Sequence, residues 1–231
     1  GVWHAQQLDP DSPLYNMGEY LEIHGRVDAR LFESAVRRVV AETDCFSLRF
    51  IQDADGVPRQ LAESPGDWPF HLIDVSAEDD PGASAMSWML ADMRRPVDLC
   101  GGDLFTQALI TVGEDRCYWY QRIHHILADG LAGPRIAARL AEIYTALSAG
   151  EPVPAGAPRS CSLLLDADAA YRASEDFEAD RAYWTERLTD LPPVVSLSGR
   201  TPSATPESLT RHTLHIPPDT AGGLKHSARR L

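Results

Sequence analysis

Apolar positions along the chain recur with two periods, and the changes between them mark the elements. Residues 117–126 are aromatic and β-branched with no glycine or proline, which predicts a strand. Period-2 alternation puts Cys117, Trp119, Gln121, Ile123 and His125 on one face, and Tyr118, Tyr120, Arg122 and His124 on the other. The two histidines therefore point opposite ways. Residues 104–112 pair with this strand through a turn at 113–115. Past Asp129 and Gly130, Pro134 opens a helix whose Ile136, Leu140, Ile143, Tyr144 and Leu147 form an apolar stripe ended by Gly150.

Upstream, residues 17–24 alternate as a strand, and Asp28 caps a helix with Phe32, Val36, Val39, Val40 and Thr43 on one face. Two short runs, 46–52 and 57–61, flank Asp53 to Gly56 as a hairpin. Residues 70–75 form another strand. Pro81 then sits in the first turn of a helix with Met86, Met89, Leu90 and Met93 on one side, a stripe that reads as core packing. Beyond a linker-like stretch at 151–160, two helices are predicted over 162–173 and 176–188, the second burying Phe177, Tyr183 and Trp184. A strand over 209–216 and a helix from Asp219 follow a second Pro- and Ser-rich stretch.

Composition narrows the function classes. With 231 residues, 44% of them apolar, and no low-complexity tract, the chain is long enough to bury a substantial core. A net charge of −13 without any basic run excludes a nucleic-acid surface. No stretch is apolar enough for a membrane span, and no signal pattern opens the chain, so a soluble protein is expected. Cys45, Cys100, Cys117 and Cys161 lack paired spacing, which suggests reduced thiols in the cytoplasm. A tryptophan at the third residue suggests that the natural chain starts earlier, and the last helix reads as cut short.

The chemistry is concentrated at residues 124–130. Adjacent histidines on a strand cannot readily chelate one ion, and a metalloprotease-type pair would need i, i+4 spacing on a helix, so no metal site is expected. Two readings stay open: packed histidines bonded to backbone, or a reactive site. Asp129 can pair with a cation or cap the following helix, and Gly130 can turn tightly or let a substrate approach.

Laid out in this way, His124-His125-Ile126-Leu127-Ala128-Asp129-Gly130 matches the His-His-x-x-x-Asp-Gly motif in full. The chain resembles a condensation domain of a nonribosomal peptide synthetase, and Tyr118 to Arg122 resembles its siderophore-assembling branch. Gly1-Val2-Trp3, residues 44–50 and residues 170–197 are similar to further family segments. The resemblance covers nearly the whole chain and stops about halfway through the family's usual domain.

It implies an α/β fold like chloramphenicol acetyltransferase: a mixed β-sheet flanked by helices, one half of a V-shaped two-lobe domain. Residues 1–160 would be the N-terminal lobe, and 161–231 the inter-lobe helices and the truncated start of the C-terminal lobe. The implied reaction is amide formation by attack of a carrier-tethered acceptor amine on a carrier-tethered donor thioester. Its partners are donor and acceptor peptidyl carrier domains and an adjacent adenylation domain. No cofactor is bound by the domain itself, since substrates arrive on phosphopantetheine arms.

By the same resemblance His125 is the catalytic group, His124 points into the fold in support, and Gly130 leaves space beside the thioester. Asp129 would hold the loop through an arginine. Ser47 stands where the family pattern has an arginine, so Arg49 or Arg122 is the expected cation. An epimerisation-type relative uses the same motif, whereas silent docking platforms usually lose one of its residues, so the intact motif argues against that alternative while Ser47 keeps it open; the 231-residue piece alone is expected to be inactive.

Overall fold

A strand as rich in aromatic and β-branched residues as 117–126 has apolar side chains on both faces, so each face needs a cover of helices. The computed structural model supplies them; it describes residues 1–156, 161–192 and 214–229. The first half carries α1 (Val2–Leu8), β1 (Asn16–His24), α2 (Ala29–Glu42), a 3-10 turn (Asp44–Ser47), β2 (Leu48–Gln52), β3 (Pro58–Ala62) and β4 (Phe70–Asp74). Next come α3 (Pro81–Met93), β5 (Phe105–Gly113), β6 (Arg116–His124), α4 (Ala132–Ala149), α5 (Ser162–Arg172), α6 (Glu175–Arg187) and α7 (Pro218–Ala228). Two units divide the chain: Gly1–Val194, with all elements through α6, and Val195–Leu231, with α7.

The main sheet runs β1-β6-β5-β4. β6 pairs antiparallel with β1 and β5, while β4 pairs parallel with β5. A parallel pair needs a crossover, and α3 provides it. β2 and β3 form a separate hairpin. On one side of the sheet, Leu109, Trp119 and Ile123 join Phe32, Val36 and Val39 of α2 and Ile136, Leu140 and Ile143 of α4 in a single core. Phe32 and Trp119 meet edge to face at 6.2 Å. On the other side, Ala108, Ile110, Tyr118 and Tyr120 pack with Ala85 and Met89 of α3. Each large side chain buried in this way contributes roughly 1.5 to 3 kcal/mol.

The caps behave as the sequence suggested. Asp28 accepts from the N–H groups of Arg30 and Leu31 at the start of α2, and Gly150 closes α4 at φ +67°.

Other expectations need correction. α1 was not anticipated. In α3 the buried face is Ala85, Met89 and Asp92, while Leu90 is exposed, so an acid shares the methionine stripe. Tyr183 and Trp184 of α6 are exposed and meet edge to face at 5.3 Å, and neither α5 nor α6 buries any residue. Of the strand expected over 209–216, residues 209–213 lie outside the described residues, and 214–216 carry no strand. β6 ends at His124, one residue before the second histidine.

Candidate active site

β6 delivers the histidine pair to a turn whose backbone is held from several directions. His124 N donates to Leu104 O and His125 N to Tyr15 O, both at 2.8 Å, and Leu127 N donates to His124 O at 2.9 Å. Leu127 is itself buried in the core, which anchors the far side of the turn. The result separates the two histidines: His124 is 1% exposed and His125 is exposed. His125 faces a cleft of about 650 Å³ whose walls include Trp3 and His4 of α1, Phe50 of β2, Gln60 of β3, Ile126 and Arg172.

His124 is a buried acceptor as well as a wall. Its Nδ1 accepts from Ile126 N at 3.2 Å, and its Nε2 lies 3.2 Å from Gln6 Oε1. Burial, with Arg122 and His125 adding positive charge nearby, pushes its pKa down to about 4, so the ring is neutral near pH 7.

The arginine expected to hold Asp129 is committed elsewhere. Arg122, 1% exposed, donates from Nε to Asp92 Oδ2 at 2.8 Å and from Nη2 to Thr106 Oγ1 at 2.7 Å. The Tyr120 hydroxyl donates to the same carboxylate at 2.9 Å, and burial together with Asp92 raises its pKa. A buried charge pair survives only when its remaining donors and acceptors are satisfied, as here. Arg49, on β2, pairs at 3.7 Å with Glu63. Asp129 instead accepts from Leu131 N at 3.0 Å, the local bond of a turn entering a helix. Asp129 is not the helix cap either: the N-cap of α4 is Leu131, no side chain caps that helix, and the bond closes a turn just before it.

Asp129 and Gly130 line a different, smaller cavity of about 110 Å³, with Met17, Glu19, Gln121, Ile123 and Gly133 among its walls. Gly130 does not have positive φ, and a Cβ there would meet open space, so local geometry alone does not require glycine. Gly133 is different: a Cβ there would collide with the Glu19 carboxylate. Gln121 donates to that carboxylate and accepts from Gln107 at 3.4 Å, while Gln107 accepts from Trp119 Nε1 at 2.9 Å.

Sequence reasoning missed Gln6, Asp92 and Glu19. Asp92 was detectable as an acid i+3 from Met89 on a buried stripe. The other two carry no periodic signal.

Among the described residues no helix is long and apolar enough to cross a membrane.

Comparison with known proteins places these features in a family context. The family model for the condensation domain matches residues 1–229. The chain is 46% identical over 229 residues to a dimodular nonribosomal peptide synthase of Bacillus subtilis, covering 99% of this chain and 10% of that protein. It is 35% identical over 210 residues to enterobactin synthase component F of Shigella flexneri, covering 88% of this chain and 16% of that one. Among solved structures, the first condensation domain of the calcium-dependent antibiotic synthetase superposes with a TM-score of 0.86 at 37% identity, covering 99% of this chain and 54% of that one. The starter condensation domain of rhizomide synthetase gives 0.76 at 39% identity, covering 84% and 48%. The chain thus spans about half of these solved domains and a small part of the curated synthetases.

Proposed function

Because the chain belongs to the condensation-domain family, whose members form amide bonds, we propose that it carries the histidine-bearing half of such a site, with His125 as the catalytic group. The observation that carries this reading is the clamped turn, which exposes the His125 ring to a wide cleft while locking its neighbour in the fold. Condensation domains act on acyl groups carried by the phosphopantetheine arms of carrier domains. Here the acceptor amine attacks the donor thioester: a C–N bond forms, the C–S bond breaks, and the amine proton passes to the departing thiolate.

An α-amino group has a pKa of roughly 7.7 to 8.0, so much of it is protonated near neutral pH. An imidazole facing the cleft can take or share that proton as the C–N bond forms. Its fixed backbone also orients the amine, an effect independent of proton transfer. Three of the four cysteines are poor nucleophiles: burial pushes the Cys45 thiol up to about 12 and raises Cys117 and Cys161.

Within this reading the site is completed by the rest of the condensation domain, and the partners are donor and acceptor carriers and a neighbouring adenylation domain. The setting is a cytoplasmic synthetase of the siderophore-assembling branch. Asp129 shapes the turn rather than reacting, and Gly130 keeps the backbone beside it open.

The test uses the intact condensation domain containing this chain, with two loaded carriers. Intact-mass spectrometry follows the donor acyl mass onto the acceptor carrier. Wild-type transfer, with a loss of roughly 10²- to 10⁴-fold in a folded His125→Ala protein, supports the reading. Transfer that survives the substitution, or no transfer by wild type with any carrier pair, overturns it and favours a docking role.

A further inference from the structure

Gln6 is 2% exposed on α1 and makes no contact with the reacting groups. The two N–H groups of its Nε2 serve three backbone carbonyls of the segment after the helix, one of them shared: Asp9 O at 3.0 Å, Pro10 O at 3.1 Å and Ser12 O at 3.0 Å. Only Oε1 is left to meet His124 Nε2. The reverse amide orientation would aim an oxygen at three carbonyl oxygens, so electrostatics fixes this one. A carbonyl oxygen only accepts, hence His124 Nε2 carries the ring proton. Nδ1 is then the lone-pair nitrogen, and Ile126 N–H donates to it. The chain of roles closes without a free choice.

We propose that Gln6 is a positioning residue for amide formation, acting through His124. By selecting the Nε2–H tautomer it keeps Nδ1 available to hold the Ile126 N–H, and so sets the turn that presents His125. This rests on the role of His125 proposed above. The same short helix supplies Val2, Trp3 and His4 to the cleft wall, so one element sets both the wall and the turn. Around His124 the other charged and titratable groups are Arg122 on β6 with its partner Asp92 on α3, His125 in the turn, and Tyr15, whose ring lies 6.1 Å away.

The mechanism makes a prediction that a merely structural role would not. Gln6→Met removes the acceptor for Nε2–H at similar side-chain size, so the ring proton is free to move to Nδ1. Protonated Nδ1 is a donor, and the Ile126 N–H loses its acceptor. In the intact condensation domain with loaded carriers, kcat of Gln6→Met should fall several-fold relative to wild type, with KM for the acceptor carrier unchanged. Gln7→Ala, an exposed neighbour, should track wild type.

Imidazole ¹⁵N shifts of His124 read the tautomer without turnover. Wild type should show Nε2–H, and Gln6→Met a mixture. A wild-type ring protonated on Nδ1, or a Gln6→Met ring that keeps the Nε2–H form alone, overturns the proposal. The first of these outcomes is read even if a variant fails to fold. Loss of transfer in His125→Ala, run in the same series, tests the underlying reaction separately.

Discussion

At the scale of single residues, the buried histidine has a consequence for stability with a definite sign. His124 is held at about 4 in the fold against an ordinary 6.5, so between those values the unfolded chain binds the proton and the folded chain does not. Its contribution is complete above about pH 6.5 and lost as the pH falls through about 4, a change of about 3 kcal/mol. Urea midpoints at pH 7 and pH 4.5 should show this loss in wild type and a smaller one in His124→Asn. The buried ion pair is the second sensitive point. Asp92→Ala strands the Arg122 guanidinium and should destabilise the fold by roughly 3 to 5 kcal/mol, whereas Asp92→Ala with Arg122→Met should recover much of that in the same titration. That the two histidines part was read from a period of two, but β6 ends at His124, and it is the bonded turn after it that leaves His125 exposed. The partner of Arg122 was not: a carboxylate thirty residues away on α3 captured it, and no local pattern distinguishes Asp92 from Asp129 as the recipient.

Among the elements, helices were read where their ends carry chemistry. Asp28→Ala removes two bonds to the first turn of α2 and should cost about 1 kcal/mol, and Gly150→Ala, forced into the left-handed region, a similar amount. Thermal melts of the two variants and their double mutant should show additive losses, since the sites cap different helices. α1 escaped notice for a physical reason. It is seven residues long, and its buried positions are Trp3 and Gln6, so a polar side chain takes the place where periodicity would show an apolar one. The α3 stripe failed similarly, with Asp92 on the inward face and Leu90 outside it. At the entrance to α4, Gly133→Ala should push the Glu19 carboxylate off Gln121, which a crystal structure of the variant would reveal as a rotated Glu19.

For the whole molecule, the α/β class came with the family resemblance, with which the strands and helices read from periodicity agree, but the strand order was not legible. β1 lies beside β6 through pairings such as Asn16 with His124, and such distant partners leave no local trace in the sequence. The 231 residues span about half of the solved relatives, so this chain alone should give no amide transfer, and joining the remainder of the domain should restore it in the carrier assay. The β1–β6 register also reaches into biogenesis. During synthesis β1 leaves the ribosome roughly 100 residues ahead of its partner, a wait of about 5 to 20 s at ordinary elongation rates. Until β6 arrives, the carbonyl of Tyr15 has no His125 amide to receive and the turn has no shape. The turn thus takes shape only after its walls have been made, and a nascent chain stalled before residue 116 holds every wall that α1 and β2 contribute but not the histidine they surround.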